Sequence, residues 1–240
     1  MSFLFCSTLP DFPSFENLES LHENMSPFVK ICCISSLEEA QKAIRYGAAA
    51  LGLVAEMPSG PGVIHDDLIR EIAAFAPPPI ATFLLTSRTR VPDIARHQQA
   101  VGANTVQIVD ALTDGSYAEL RTALPGISLV QVIHVIDEAS VDEALRIAPQ
   151  VDALLLDSGN PNLAVKELGG TGRTHNWALS RRIVEQCGKS VFLAGGLRAD
   201  NVRAAIEAVQ PWGLDLCSGV RTNGQLDENK LEAFFKAMRS

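Results

Sequence analysis

Eight short apolar runs, each followed by an amphipathic segment of helical period, constrain this chain more than any other feature. The runs are expected as strands at 29–33, 49–54, 79–85, 104–109, 127–134, 152–157, 190–194 and 212–216. They are nearly continuous rather than alternating, the pattern of parallel strands covered on both faces. The first intervening helix is capped by Ser36 ahead of Glu38 and Glu39, runs to Tyr46 and stops at Gly47. The others are expected at 65–75, 90–101, 116–123, 138–148, 176–187, 199–208 and 227–238. Strict β–α alternation eight times over predicts an α/β chain folded as a single (β/α)8 barrel across 28–240. A doubly wound open sheet is the rival. It would carry one dominant glycine-rich loop after its first strand, where this chain has Cys32-Cys33-Ile34-Ser35-Ser36. Residues 1–27 carry Pro10, Pro13 and Pro27 with little periodicity, and are expected as an irregular N-terminal extension with at most a short helix at 15–24.

Composition narrows the partners. A hydrophobic content of 47% over 240 residues is enough for a sizeable core. The net charge of -8 leaves no basic surplus for a nucleic-acid backbone. No apolar run approaches the roughly 18–20 residues that span a bilayer. The start, Met1-Ser2-Phe3-Leu4-Phe5-Cys6, lacks the basic residues of a secretory or transit signal. Cysteines at 6, 32, 33, 187 and 217 are odd in number and show no CxxC spacing. That suits a reducing cytoplasm and argues against a disulfide framework or a metal site.

Chemistry is expected where glycine gathers at strand ends. Gly169-Gly170-Thr171-Gly172, Gly195-Gly196 and Ser218-Gly219 each follow an apolar run. Without a Cβ, glycine lets backbone N–H groups close on an anion. Barrels hold phosphate in the loops after strands 7 and 8, where Gly195-Gly196 and Ser218-Gly219 fall. The expected ligand is a small phosphorylated molecule held by Gly170, Thr171, Gly172, Gly195, Gly196, Ser218 and Gly219, with a short helix N-terminus behind the anion. The bland alternative is that the turns only reverse the chain.

Side chains alternate along a strand. Lys30 and Cys32 share one face of strand 1, Asp215 and Cys217 one face of strand 8, and Asp157 ends strand 6. Strands 1 and 8 are neighbours in a closed barrel, so Lys30 and Asp215 are placed to pair, since an unpaired buried lysine is costly. Cys32 and Asp157 then lie at the active end, one suited to take a proton and the other to give one. As a donor near neutral pH, Asp157 would need its pKa lifted from about 3.9 to near 7, roughly 4 kcal/mol against the charged form. Taken alone, each cysteine also reads as a small core residue.

Six segments together resemble the phosphoribosylanthranilate isomerase family. They are Val29-Lys30-Ile31-Cys32, Ala50-Leu51-Gly52-Leu53-Val54, the run from Asp152 to Ser158, Gly169 to Trp177, Leu193 to Leu197 and Gly213 to Val220. The resemblance covers about 28–238 and implies a cofactor-free Amadori rearrangement of N-(5-phosphoribosyl)anthranilate in tryptophan biosynthesis. It implies that Cys32 is the general base and Asp157 the general acid, with Lys30, Gln107 and Asp215 among the substrate-binding residues, in a monomer or homodimer.

The departures lie at the aromatic end. Cys33 stands where the family usually has glycine. The Ser-Pro-Arg after strand 2, whose arginine helps hold the anthranilate carboxylate, is here Ser59-Gly60-Pro61-Gly62. The Gln-Leu-His of strand 4 is Gln107-Ile108-Val109, and an arginine position on strand 5 holds His134. Arg173, His134 and Arg88 are candidates for the missing cation. Two other readings follow: the same chemistry on another phosphoribosylamine, or a non-catalytic phosphosugar-binding regulator.

Overall fold

The computed structural model describes residues 26–160, 162–170 and 172–239. The helix expected at 15–24, Cys6 and Thr171 lie outside them. Eight parallel strands form one closed barrel in chain order. They are β1 (Phe28–Ile31), β2 (Ala50–Val54), β3 (Ala81–Thr86), β4 (Thr105–Ile108), β5 (Ser128–His134), β6 (Ala153–Asp157), β7 (Ser190–Leu193) and β8 (Gly213–Leu216). The helices are α1 (Leu37–Tyr46), α2 (Asp66–Phe75), α3 (Val91–Val101), α4 (Tyr117–Ala123), α5 (Glu138–Ile147), α6 (Trp177–Gln186), α7 (Val202–Val209) and α8 (Glu228–Arg239). The open-sheet alternative is excluded by the pairing of β1 with β8. Among the described residues no helix is long and apolar enough to cross a membrane.

Local chemistry sets the element ends. Ser36 Oγ accepts from the Glu39 N–H at 3.1 Å and starts α1. Gly47, at φ 107°, ends it in the left-handed conformation that glycine adopts freely. α7 starts at Val202, later than the expected 199. Here Arg198 N–H donates to Asn201 Oδ1 and Asn201 Nδ2 donates to the Gly196 carbonyl, which ties the segment into a turn instead. A hairpin absent from the sequence reading, β9 (Arg221–Thr222) and β10 (Gln225–Leu226), turns at Asn223-Gly224. Both residues have positive φ, 50° and 80°, as a tight two-residue hairpin needs.

Strand alternation splits the core in two. Ile31, Leu51, Leu53, Leu84 and Ile108 face outward and pack under the helices. Ala50, Phe83, Leu85, Val132, Leu155 and Phe192 fill the barrel. Burying each such aliphatic side chain contributes about 1.5–3 kcal/mol. Aromatic rings close the N-terminal end: Phe28 stacks on Trp212 at 4.6 Å, and Trp212 meets Phe192 edge to face at 5.1 Å.

Two buried ion pairs hold the place where the barrel closes. β1 runs beside β8 with Lys30 opposite Asp215. Lys30 is 0% exposed, and its Nζ donates to Asp215 Oδ1 at 2.8 Å. Burial would depress the lysine pKa; the Asp215 charge and hydrogen bond, with the nearby thiols, outweigh it and push the group upward, so Lys30 stays charged. The second pair joins α1 to the hairpin. Arg221 Nη1 donates to Glu39 Oε1 at 2.7 Å, and Arg221 Nη2 donates to the carbonyls of Cys33 at 2.6 Å and Cys32 at 3.2 Å. Glu39 also accepts the N–H groups of Leu226 and Ser35. Arg221 therefore clamps the end of β1.

Removing one partner of a buried pair strands the other, so Arg221→Leu is expected to lose about 3–5 kcal/mol in urea unfolding. Burial pushes the Glu39 carboxyl up, but Arg221 and the two backbone donors outweigh it and hold the group below the usual glutamate range. The native state thus releases this proton more readily than the unfolded chain. Its stabilisation is complete at neutral pH and is lost as pH falls through and below that range. Stability measured against pH should show a shallower acid limb in Glu39→Gln.

Candidate active site

At the C-terminal end of the strands lies a cleft enclosing about 700 Å³, part of it open to solvent. Cys32, Gln107, Asp157, Asp215 and the turns at Gly170, Gly172, Gly195, Gly196, Ser218 and Gly219 all line it. Lys30 lies beneath, held by Asp215. Thr171, the other expected phosphate contact, lies outside the described residues.

The three glycine turns meet. A Cβ at Gly196 would lie 2.8 Å from the Gly172 carbonyl, one at Gly195 2.9 Å from the Arg173 carbonyl, and one at Gly219 1.9 Å from the Leu197 carbonyl. Such distances exclude a side chain at each position, so glycine here permits the backbones to converge as well as to turn. Gly172, Gly195 and Gly196 also take positive φ. His175 braces the cup from behind: its Nε2 bonds Ser180 Oγ at 2.7 Å, and burial pulls its pKa down to about 4, so the imidazole is neutral. The sequence marks His175 only as part of the Gly169 to Trp177 segment, since its contact with Ser180 needs the folded loop.

Asp157 ends β6 opposite His134 of β5 and is 7% exposed. Burial raises its pKa; the Ser158 N–H, 2.7 Å from Oδ1, and the His134 and Lys30 charges pull against this, while the Asp215 charge adds to it. The net direction is upward, which a proton donor needs. The loop after β6 folds back over the acid, so that a Cβ at Gly169 would lie 2.8 Å from Asp157 Oδ2. Cys32 directly follows β1 with its sulfur toward β2, where Gly52 makes room: a Cβ there would sit 2.9 Å from Cys32 Sγ. Gln107 is buried in the wall, and its Oε1 has no hydrogen-bond partner among the described residues. Native proteins rarely leave such an atom unpaired.

The loop after β2 covers the other side. Met57, Ser59, Gly60 and Pro61 line the cleft, and Ser59 Oγ donates to the Lys166 carbonyl of the β6 loop. None of the three cations proposed from sequence lines the cleft. Arg173 pairs with Glu167. Arg88 borders a separate surface hollow with Glu56 and His65. His134 donates from Nε2 to the Val109 carbonyl at 3.0 Å and borders a neighbouring hollow. Apolar residues Val54, Leu85, Leu155 and Leu168 also line the cleft, a role that residue type alone does not reveal because wall and core call for the same side chains.

The family model described as PRAI, N-(5'phosphoribosyl)anthranilate (PRA) isomerase, matches residues 29–237. The chain belongs to this family. N-(5'-phosphoribosyl)anthranilate isomerase 2 of Methanosarcina mazei is 34% identical over 208 residues, 86% of this chain and 91% of the relative. The isomerase of Nostoc punctiforme is 33% identical over 88% of this chain and 98% of its own. The solved phosphoribosyl anthranilate isomerase of Thermotoga maritima superposes with a TM-score of 0.73 at 28% identity, covering 89% of this chain and 98% of its own. Another solved isomerase, bound to reduced 1-(o-carboxyphenylamino)-1-deoxyribulose 5-phosphate, gives a TM-score of 0.70 at 26% identity, covering 89% and 98%. The family's glycine after the first-strand cysteine has a structural meaning in this chain: Cys33 sits at φ 62°, the left-handed region.

A carboxylate held with a raised pKa costs stability at neutral pH. For such a group the favourable contribution is present below the unfolded pKa and is lost as pH rises through the folded one. Asp157→Asn is therefore expected to unfold at a higher temperature than the native chain at neutral pH, with the difference shrinking as pH is lowered.

Proposed function

We propose that the protein is a phosphoribosylanthranilate isomerase. It converts N-(5-phosphoribosyl)anthranilate to 1-(2-carboxyphenylamino)-1-deoxyribulose 5-phosphate, an intramolecular aldose–ketose rearrangement in tryptophan biosynthesis. The observation that carries this reading is the raised, buried Asp157 in one cleft with the Cys32 thiol and three converging glycine turns. In this mechanism Asp157 protonates the furanose ring oxygen as the C1′–O bond breaks and the anilino nitrogen forms a Schiff base. Cys32, as thiolate, removes the C2′ proton. The electron pair moves toward nitrogen and gives an enolamine, which tautomerises to the ketone. The turns at Gly170 to Gly172, Gly195-Gly196 and Ser218-Gly219 hold the 5′-phosphate, and Gln107 contacts the substrate between the two ends. The setting is cytoplasmic, and the working unit is a monomer or a homodimer; one Thermotoga maritima relative is described as dimeric.

A second reading has its own support. Among the described residues, the cleft is lined by no lysine, arginine or histidine. A carboxylate at the aromatic end would lack a charge-assisted hydrogen bond, about 1.5–3 kcal/mol. That favours a related phosphoribosylamine with an uncharged N-substituent.

Turnover of freshly generated phosphoribosylanthranilate, followed by fluorescence, separates these readings. A saturable rate is expected. Cys32→Ala and Asp157→Asn should each lower kcat by about 10²–10⁴-fold, with inorganic phosphate still binding. Wild-type kcat should fall as pH rises through the elevated Asp157 pKa, since the acid must hold its proton. No turnover, with phosphate esters still raising the melting temperature, would move the assignment to another phosphoribosylamine; unchanged kcat in either variant would refute that residue's role.

A further inference from the structure

Two thiols in the cleft wall have no part in this mechanism. Cys33 Sγ and Cys217 Sγ are 2.8 Å apart, and both are free thiols. One sits on the turn after β1 and the other on the turn after β8, so the contact spans the seam where the barrel closes. The left-handed backbone at Cys33, φ 62°, brings its sulfur against Cys217, with the Cys32 thiol also within hydrogen-bonding reach. Cys32 Sγ faces Gly52 on β2. Cys33 Sγ faces Cys217 on β8 and also approaches the Pro61 carbonyl at 3.6 Å. Both members of the pair line the cleft, which a small solute can enter.

We propose that Cys33 and Cys217 are a modification site: a dithiol that a hydroperoxide converts to an intramolecular disulfide across the barrel seam, leaving Cys32 reduced. The Cys217 thiolate attacks one peroxide oxygen and the O–O bond breaks. With one proton taken up, this leaves a sulfenic acid and releases water from hydrogen peroxide. The Cys33 sulfur then attacks the Cys217 sulfur, the S–O bond breaks, and the hydroxide leaves as a second water carrying the Cys33 proton. Two thiols lose two electrons and both peroxide oxygens gain them. A dithiol reductant reverses the reaction by exchange.

The surroundings support that order of attack. The Cys33–Cys217 hydrogen bond, in which either sulfur can donate, and the Arg221 charge lower the Cys217 pKa against burial and the Asp215 charge, while the contacts with Cys217 and Cys32, together with burial, raise Cys33. The partners are 184 positions apart in sequence, so the bond would close a loop containing nearly the whole barrel. Cross-links over long loops remove the most freedom from the unfolded chain. The disulfide is thus a staple against unfolding, and it does not depend on which substrate the cleft takes.

The test uses the full-length, fully reduced protein treated with a small excess of hydrogen peroxide in its native state. Remaining thiols are blocked by alkylation, and peptides are mapped without reduction and sequenced by fragmentation. The expected product is a Cys33–Cys217 cross-link with loss of two hydrogens and alkylated Cys32 and Cys187. The oxidised protein should melt roughly 5–10 °C higher, and dithiothreitol should reverse both changes. Cys33→Gly, which suits the left-handed backbone, should fold, give no link to Cys217 and show no peroxide-induced shift in melting. A link through Cys32, persistence of a Cys217 link in Cys33→Gly, an alkylated Cys217 after treatment, or a disulfide without higher melting temperature would each overturn the proposal.

Discussion

The Lys30–Asp215 pair, buried where the last strand meets the first, is the constraint on which the site's geometry rests. Side chains alternate between the barrel and the helix layer, so a slip of one residue would drive the Lys30 ammonium in among Ile31 and Leu51. The cost of a bare charge there is far larger than any gain from repacking. The register locked by the pair also carries Cys32 and Cys217 to the open end of the barrel. The Arg221–Glu39 pair then fixes the next step of the chain by holding the Cys32 and Cys33 carbonyls.

The active end is assembled from costs that the rest of the fold offsets. Asp157 is desolvated, Cys33 occupies a left-handed conformation, and Gln107 Oε1 is unpaired. Each is unfavourable taken alone, by about 1–3 kcal/mol for a strained backbone or an orphaned polar atom. They gather on one rim, over a core of fully buried Leu, Ile and Val side chains that is indifferent to them. This is the usual separation in barrels: stability in the body and towards the closed end, chemistry in the loops.

Asp157, Cys32 and the glycine turns share one cleft, and the loop after β2 closes its other side. Gly60 and Gly62 take positive φ there, and Pro61 packs against Gly170. The cleft mouth is thus formed by close backbone contact between two loops, where the family pattern has an arginine. A wall of Met57, Leu85 and Leu168 suits an aromatic ring. Among the described residues that end of the cleft presents apolar surface rather than charged side chains.

The eight-fold alternation, the Ser36 and Gly47 stops, the facing of Lys30 toward Asp215 and the strand-end positions of Cys32 and Asp157 were legible in the sequence. Most follow from local propensity or the two-residue period of a strand, and the Lys30–Asp215 pairing follows once eight units close into a barrel that sets the first strand beside the last. The Asn223-Gly224 hairpin likewise rests on local turn chemistry, two adjacent residues that tolerate positive φ. What only the tertiary structure decided is whatever requires atoms from far-apart segments to share a space. Burial from all sides raises Asp157; the nested carbonyls of Gly172, Arg173 and Leu197 explain why Gly195, Gly196 and Gly219 must be glycine; Arg221 reaches Glu39 across 182 positions. The same holds for Arg173, Arg88 and His134, each a reasonable cation by residue type and each turned to another partner or hollow. Pattern along a chain determines which residues face inward, whereas desolvation and contact depend on what the folded chain brings against them.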